Sequence, residues 1–188
     1  MSTEKMNVEF EHIENERLRL KQVRVALSTA LEGGARGDAA YVPFYIAIAD
    51  YMEKAFGRLH HEDGTMCKVV RRKVANPTPD VIESLDEVEK RLARSNELLQ
   101  NLVRARDALK KTGGAALQAF EAAGRDYTHH IKTKMGYNAP TSANLRAFLT
   151  EDDWKAMAGE TKNAAIVEKE LFKKVFAAKP ASLTIDAA

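Results

Sequence analysis

Apolar residues recur along most of this chain at the 3.6-residue spacing of helices that bury one face. The first predicted helix runs from about Thr3 to Leu31, with Ile13, Leu20, Val23 and Leu27 on one side, and stops at Gly33-Gly34. The second runs from about Ala39 to Val74, and its stripe reads Tyr45, Ile48, Ala49, Met52, Phe56, Leu59, Met66, Val70. Asn76-Pro77 ends it, and Thr78-Pro79 supplies an N-cap and a first-turn proline for a third helix that reaches about Lys111. Gly113-Gly114 separates this from a fourth helix, about Ala115 to Met135, with Leu117, Phe120, Ala123, Tyr127 and Ile131 on one face. The irregular stretch Gly136–Leu149 is long enough to act as a lid. Thr150-Glu151-Asp152-Asp153 then has the look of a capped N-terminus and opens a fifth helix to about Ala177. Short links between long helices imply an all-α, up-down bundle of four to five helices. Residues 1–178 form its single domain, and 179–188 are expected as a disordered tail.

Composition narrows the function classes. The 29 basic and 27 acidic residues are mixed along the sequence, so no face is basic enough to expect nucleic acid. Arg71-Arg72-Lys73 closes the second helix, where cations complement the dipole. No apolar run is long enough to span a membrane, and the first residues do not read as a signal peptide, so a cytoplasmic location is expected. The one cysteine, Cys67, lies on the apolar side of its helix and reads as a small core residue. No nucleophile motif, phosphate-binding glycine loop or cysteine-based zinc site is present.

The informative residues are the polar ones that break the stripes. On the second helix Asp63 falls near the middle of the apolar face and His60 near its edge. Carboxylates go inside only when paired, protonated or bound to metal. On the first helix Glu9 and Glu16 lie within about 30° of the inward direction, and His12 is roughly 70° away. Glu9 and His12 have the Glu-x-x-His spacing that supplies two ligands in carboxylate di-metal bundles. On the fourth helix His130 borders the apolar face and His129 points away. On the fifth, Glu168 falls within the stripe and Glu160 is more peripheral.

Heights reinforce this pattern. Nineteen residues back from Leu31 is His12, and nineteen on from Tyr41 is His60. The same counting sets Glu9 opposite Asp63 and Glu16 opposite Phe56. It carries the level of His60 to Arg91–Ser95 on the third helix, and from there to His130 on the fourth. Glu9, His12, His60, Asp63 and His130, with Glu160 or Glu168, are therefore the candidate metal ligands. Imidazole with carboxylate suits iron, manganese or zinc, one or two ions in number. Tyr45, Tyr127 and Trp154 are the aromatic candidates for lining such a pocket.

With His12, His60-His61-Glu62-Asp63, His129-His130 and Phe148–Trp154 in view, the chain resembles the hemerythrin-like helical bundles. The resemblance implies a four-helix bundle holding non-haem iron, with binding or sensing of dioxygen or nitric oxide. The spacing His60-x-x-Asp63 points to a mixed carboxylate and histidine set. The contrasting expectation is a metal-free helical interaction module or accessory subunit. In that case arginines such as Arg17, Arg19 or Arg58 neutralise Asp63 and Glu168.

Overall fold

The computed structural model describes residues 3–135, 144–153 and 161–185, with the backbone alone described for 3–14, 17 and 161–163. Among the described residues the bundle is carried by five longer α-helices: α1 (Thr3–Gly33), α2 (Tyr41–Lys73), α3 (Pro79–Thr112), α4 (Leu117–Lys134) and α5 (Thr161–Ala177). The described residues contain no strand. The protein is an all-α bundle, as the stripes require.

The stop signals act as expected. Gly34 takes φ +65°, a left-handed conformation open to glycine, and its N–H returns to the Ala30 carbonyl. Asp38 accepts the Ala40 N–H and so starts α2. Thr78 is extended ahead of Pro79, which opens α3. Gly113, at φ +58°, ends α3, and a single 3-10 turn over Gly113–Ala116 leads into α4. The fourth helix therefore begins two residues later than its sequence pattern suggests.

Neighbouring helices run antiparallel. Between α2 and α3 the contacts step in opposite directions at near-equal spacing: Asp50 with Arg106, His60 with Ser95, Arg71 with Asp86. The helices α1 to α4 form a ring, closed by α1 against α4, and α5 seats on α2 and α1.

A buried carboxylate ties the closed end together. Glu121 on α4 is 8% exposed. It accepts the Ala35 N–H at 2.6 Å and the Tyr45 hydroxyl at 3.0 Å. Tyr45 stacks on Phe120 at 4.8 Å, and burial beside Glu121 pushes its phenol far above the ordinary range. Gly124, one turn on, leaves room for Leu31; a Cβ there would stand 3.1 Å from its side chain.

The apolar core is divided. The larger cluster holds α2 residues up to Phe56 and α3 residues from Leu98 onward. The smaller joins Met66, Cys67 and Val70 to Val81, Leu85, Val88, Leu92 and Leu145. Polar residues on α2 and α3, His60 and Ser95 among them, lie between the two.

One expectation needs correction, and a second falls largely outside the described residues. Lys179–Ile185 is not a free tail, because Pro180 is buried and Leu183 enters the larger core cluster. Lys179 also donates to the Leu183 carbonyl, which closes a tight turn. Leu183, Ile185 and the buried Pro180 together add the apolar burial that works against the cost of ordering these residues. Of the stretch expected as a lid, 136–143 lie outside the described residues, 144–146 form a short helical turn, and Leu145 there is fully buried. Beyond it Thr150 and Asp153 exchange hydrogen bonds as a capping pair, and Lys73 binds Asp153.

Replacing Glu121 with alanine strands the buried Ala35 N–H and leaves the Tyr45 phenol only its longer bond to the Ala30 carbonyl. Urea denaturation of Glu121→Ala should show a loss of about 2–4 kcal/mol, and Glu121→Gln a smaller one. Equal losses in the two variants would mean that the charge, not the hydrogen bonds, matters.

Candidate functional site

Where the two core clusters part, α2, α3 and α4 bring histidines together. His60 Nε2 lies 2.8 Å from the Ser95 hydroxyl, and Ser95 is fully buried. One turn along α3, His130 donates from Nε2 to the Arg91 carbonyl at 3.3 Å. The two imidazoles are near enough for His130 to disfavour the charged form of His60. His130 is half-buried and His129 exposed, which is the orientation the stripe on α4 requires. Burial, with a smaller contribution from His130, lowers His60 from 6.5 to about 4. Burial also lowers His130, partly offset by its bond to Arg91.

Phe56, one turn before His60, joins the layer to α4. Its ring centroid is 6.0 Å from that of His60 and 5.5 Å from that of Tyr127, the latter edge to face. From α1, Glu16 reaches the same layer and pairs with Arg58, which also holds Glu62. Three buried polar atoms here have no hydrogen-bond partner among the described residues: Glu16 Oε1, His60 Nδ1 and Tyr127 Oη.

The other candidates fall in different places. Asp63 is half-buried, one turn beyond His60 and close enough to act on the Cys67 thiol, which burial chiefly pushes up to about 11. Its position in the break between the core clusters explains why the stripe tolerates it. The side chains of Glu9 and His12 lie outside the described residues, as do Glu160 and Trp154. The α1 backbone does pass this layer. The contacts Ala30–Tyr45 and Glu16–Arg58 fix its register, which brings His12 opposite about Glu62, two residues beyond the expected His60.

Glu168 does not join this layer. It is 4% exposed and accepts bonds from Arg19 at 2.6–2.9 Å and from the Tyr51 hydroxyl at 2.7 Å. Tyr51 precedes His60 by nine residues, or about 14 Å of helix. The inward carboxylate on α5 is thus neutralised by an arginine, as one of the two expectations for it held. Tyr45 is further still from His60, at the Glu121 end. Among the described residues no three His, Cys, Asp or Glu side chains gather as a group able to hold a metal ion. No described helix is long and apolar enough to cross a membrane.

Sequence reading left several contributors out of the site. Glu16 was legible as an inward acid, and its register was within two residues of the observed one. Tyr127 was legible as an aromatic candidate for lining a pocket, but nothing in a sequence tells whether a buried hydroxyl finds a partner. Glu121 stands beside Phe120 at the edge of its stripe, and the Ala35 N–H and Tyr45 hydroxyl across the bundle explain its burial. No family model, characterised protein or solved structure matches the chain.

Two outcomes follow. Glu168→Ala should cost about 3 kcal/mol, because it leaves Arg19 and the Tyr51 hydroxyl unpaired inside. Replacing Arg19 and Glu168 together by leucine should cost less than the two single changes summed; strict additivity would show that the ion pair is not a coupled unit. A histidine whose folded pKa lies near 4 takes up its proton in the unfolded chain first, near 6.5. The contribution of His60 is therefore complete above about pH 6.5 and is lost as pH falls toward 4, by up to about 3 kcal/mol. Chemical melts between pH 7 and 4 should show that slope, reduced in His60→Gln; an unchanged slope in the variant would assign it elsewhere.

Proposed function

We propose that this chain is a metal-binding helical bundle whose ion is held in the polar layer of His60. Non-haem iron is the first choice, with manganese and zinc as alternatives, one or two ions in number. The observation that supports the reading is the buried, unpartnered Nδ1 of His60, neutral at physiological pH, in a layer that also holds His130. A neutral imidazole with a free nitrogen is a ready ligand, and its bond to Ser95 through the other nitrogen is the outer contact that orients such ligands. Asp63, one turn away, and Glu9 and His12, carried past the layer by α1, are the further donors in this reading. Glu160 keeps its place as a candidate from the segment before α5. Glu168 is withdrawn from the set because Arg19 and Tyr51 occupy both its oxygens. Bound iron would supply an electrophilic centre for a small ligand such as dioxygen or nitric oxide, as the resemblance to hemerythrin-like bundles implies.

The second reading, a metal-free interaction module, has its own support. Arginines neutralise both Glu168 and Glu16, so these acids need no cation from outside.

Elemental analysis and ferrous-ion titration of the purified chain separate the two. The metal reading expects one or two ions per chain and a melting temperature that rises with loading. His60→Ala and Asp63→Ala should lower both, while His129→Ala leaves them unchanged. Absence of tight binding to iron, manganese and zinc would favour the module.

A further inference from the structure

Helices α1 to α4 close into a ring without α5. Short links join these four, at 34–40, 74–78 and 113–116, whereas the chain reaches α5 through the much longer connection 135–160. The fifth helix seats on α2 and, less extensively, on α1. Its seat is specific. Glu168 offers both carboxylate oxygens to the Arg19 guanidinium at 2.6–2.9 Å, and one of them also accepts the Tyr51 hydroxyl at 2.7 Å. One turn on, the ring centroid of Phe172 lies 6.2 Å from that of Tyr51. A further turn on, Val175 is fully buried in the larger core cluster. Glu168, Phe172 and Val175 stand at i, i+4 and i+7, which is one face of a helix. The groove between α1 and α2 thus sets a carboxylate-binding pair, Arg19 and Tyr51, beside an apolar slot.

The way α5 is held makes it separable. When a buried ion pair parts, both charges regain their hydration, which offsets much of the lost attraction. What remains is the packing of Phe172, Val175 and Leu183. The seat also leaves Ile166 and Val167 at 61% and 47% exposure, so docking does not cover all the apolar residues of the helix. We propose that α5 is an exchangeable occupant of this groove, and that the helix which replaces it is α5 of a second copy of the chain. Each copy then supplies Glu168, Phe172 and Val175 to the groove of the other, and every contact of the seat is kept. Concentration sets the balance. A tethered helix competes at an effective concentration on the order of 1 mM, falling as the connection lengthens. The single chain therefore prevails in dilute solution, and exchange sets in toward the millimolar range. The His60 layer takes no part in it, so metal content leaves the exchange unchanged.

Complementation between two full-length variants tests this. Glu168→Ala keeps Arg19 and Tyr51 in the groove but brings no carboxylate. Arg19→Ala keeps the carboxylate but has lost its main partner. Mixed in equal amounts at about 1 mM, they should form one-to-one pairs, read by sedimentation equilibrium. The mixture restores one complete seat per pair, so it should associate about tenfold or more tightly than either variant alone. Equal association in the mixture and in the separate variants would overturn the exchange, and so would a mixture that stays monomeric. If either variant fails to fold, hydrogen exchange of the wild-type chain decides. Amides of α5 should then exchange through an opening about tenfold or more frequent than the one that exposes α2 and α3. Protection of α5 equal to theirs would show that the helix never leaves its groove separately and would end the proposal.

Discussion

The Glu121 carboxylate sets how far α1, α2 and α4 can slide past one another. It holds the backbone just after α1 and a tyrosine of the first turns of α2, and it belongs to the second turn of α4. A helix pair packed only by apolar side chains could shift by a turn at modest cost, because ridges meet grooves again after each repeat. A carboxylate buried against a backbone N–H and a phenol admits one alignment. From that end the antiparallel helices run outward in fixed register. His60, Ser95 and His130 meet two thirds of the way along α2 because of a contact fifteen residues and about 22 Å distant.

Three polar layers punctuate the bundle, and each solves the problem of burial differently. The Glu121 layer uses backbone and phenol donors. The Glu168 layer uses a forked arginine and a phenol, and it attaches α5 to the other helices. The His60 layer is solved only in part, since Ser95, His130 and one nitrogen of His60 are bonded while the other nitrogen of His60 is not. In proteins such incomplete satisfaction concentrates where something else binds.

The helices and their stops were legible because glycine, proline and the 3.6-residue stripe act locally. The meeting of His60 with Ser95 and the inward turn of His130 were legible by counting residues from the turns, since short links fix antiparallel height. Counting placed His12 two residues from the register that the Ala30–Tyr45 and Glu16–Arg58 contacts set for α1. Glu168 shows where this stops. Its inward face was legible, but its level was not, because a long connection before α5 removes the reference point for counting. The seat of Leu183 was hidden for a related reason: one leucine in a polar tail carries no periodicity, and only a vacant apolar surface gives it a place. Partner choice among charged residues was the least legible. Arg19 and Arg58 were two of several arginines at plausible distance.

The break in the core at His60 has a consequence for how the molecule opens. The smaller cluster, where the end of α2 meets the start of α3 and Leu145, touches the larger one through Met135 but shares no apolar layer with it on α2 and α3. Cooperativity passes poorly through a polar seam, because its hydrogen bonds can be exchanged for bonds to water. The distal end of the bundle is thus a unit that can part while the Glu121 end stays closed. Its parting would expose the His60 layer to solvent from one side only, so that the seam would act as the doorway to the layer as well as its floor.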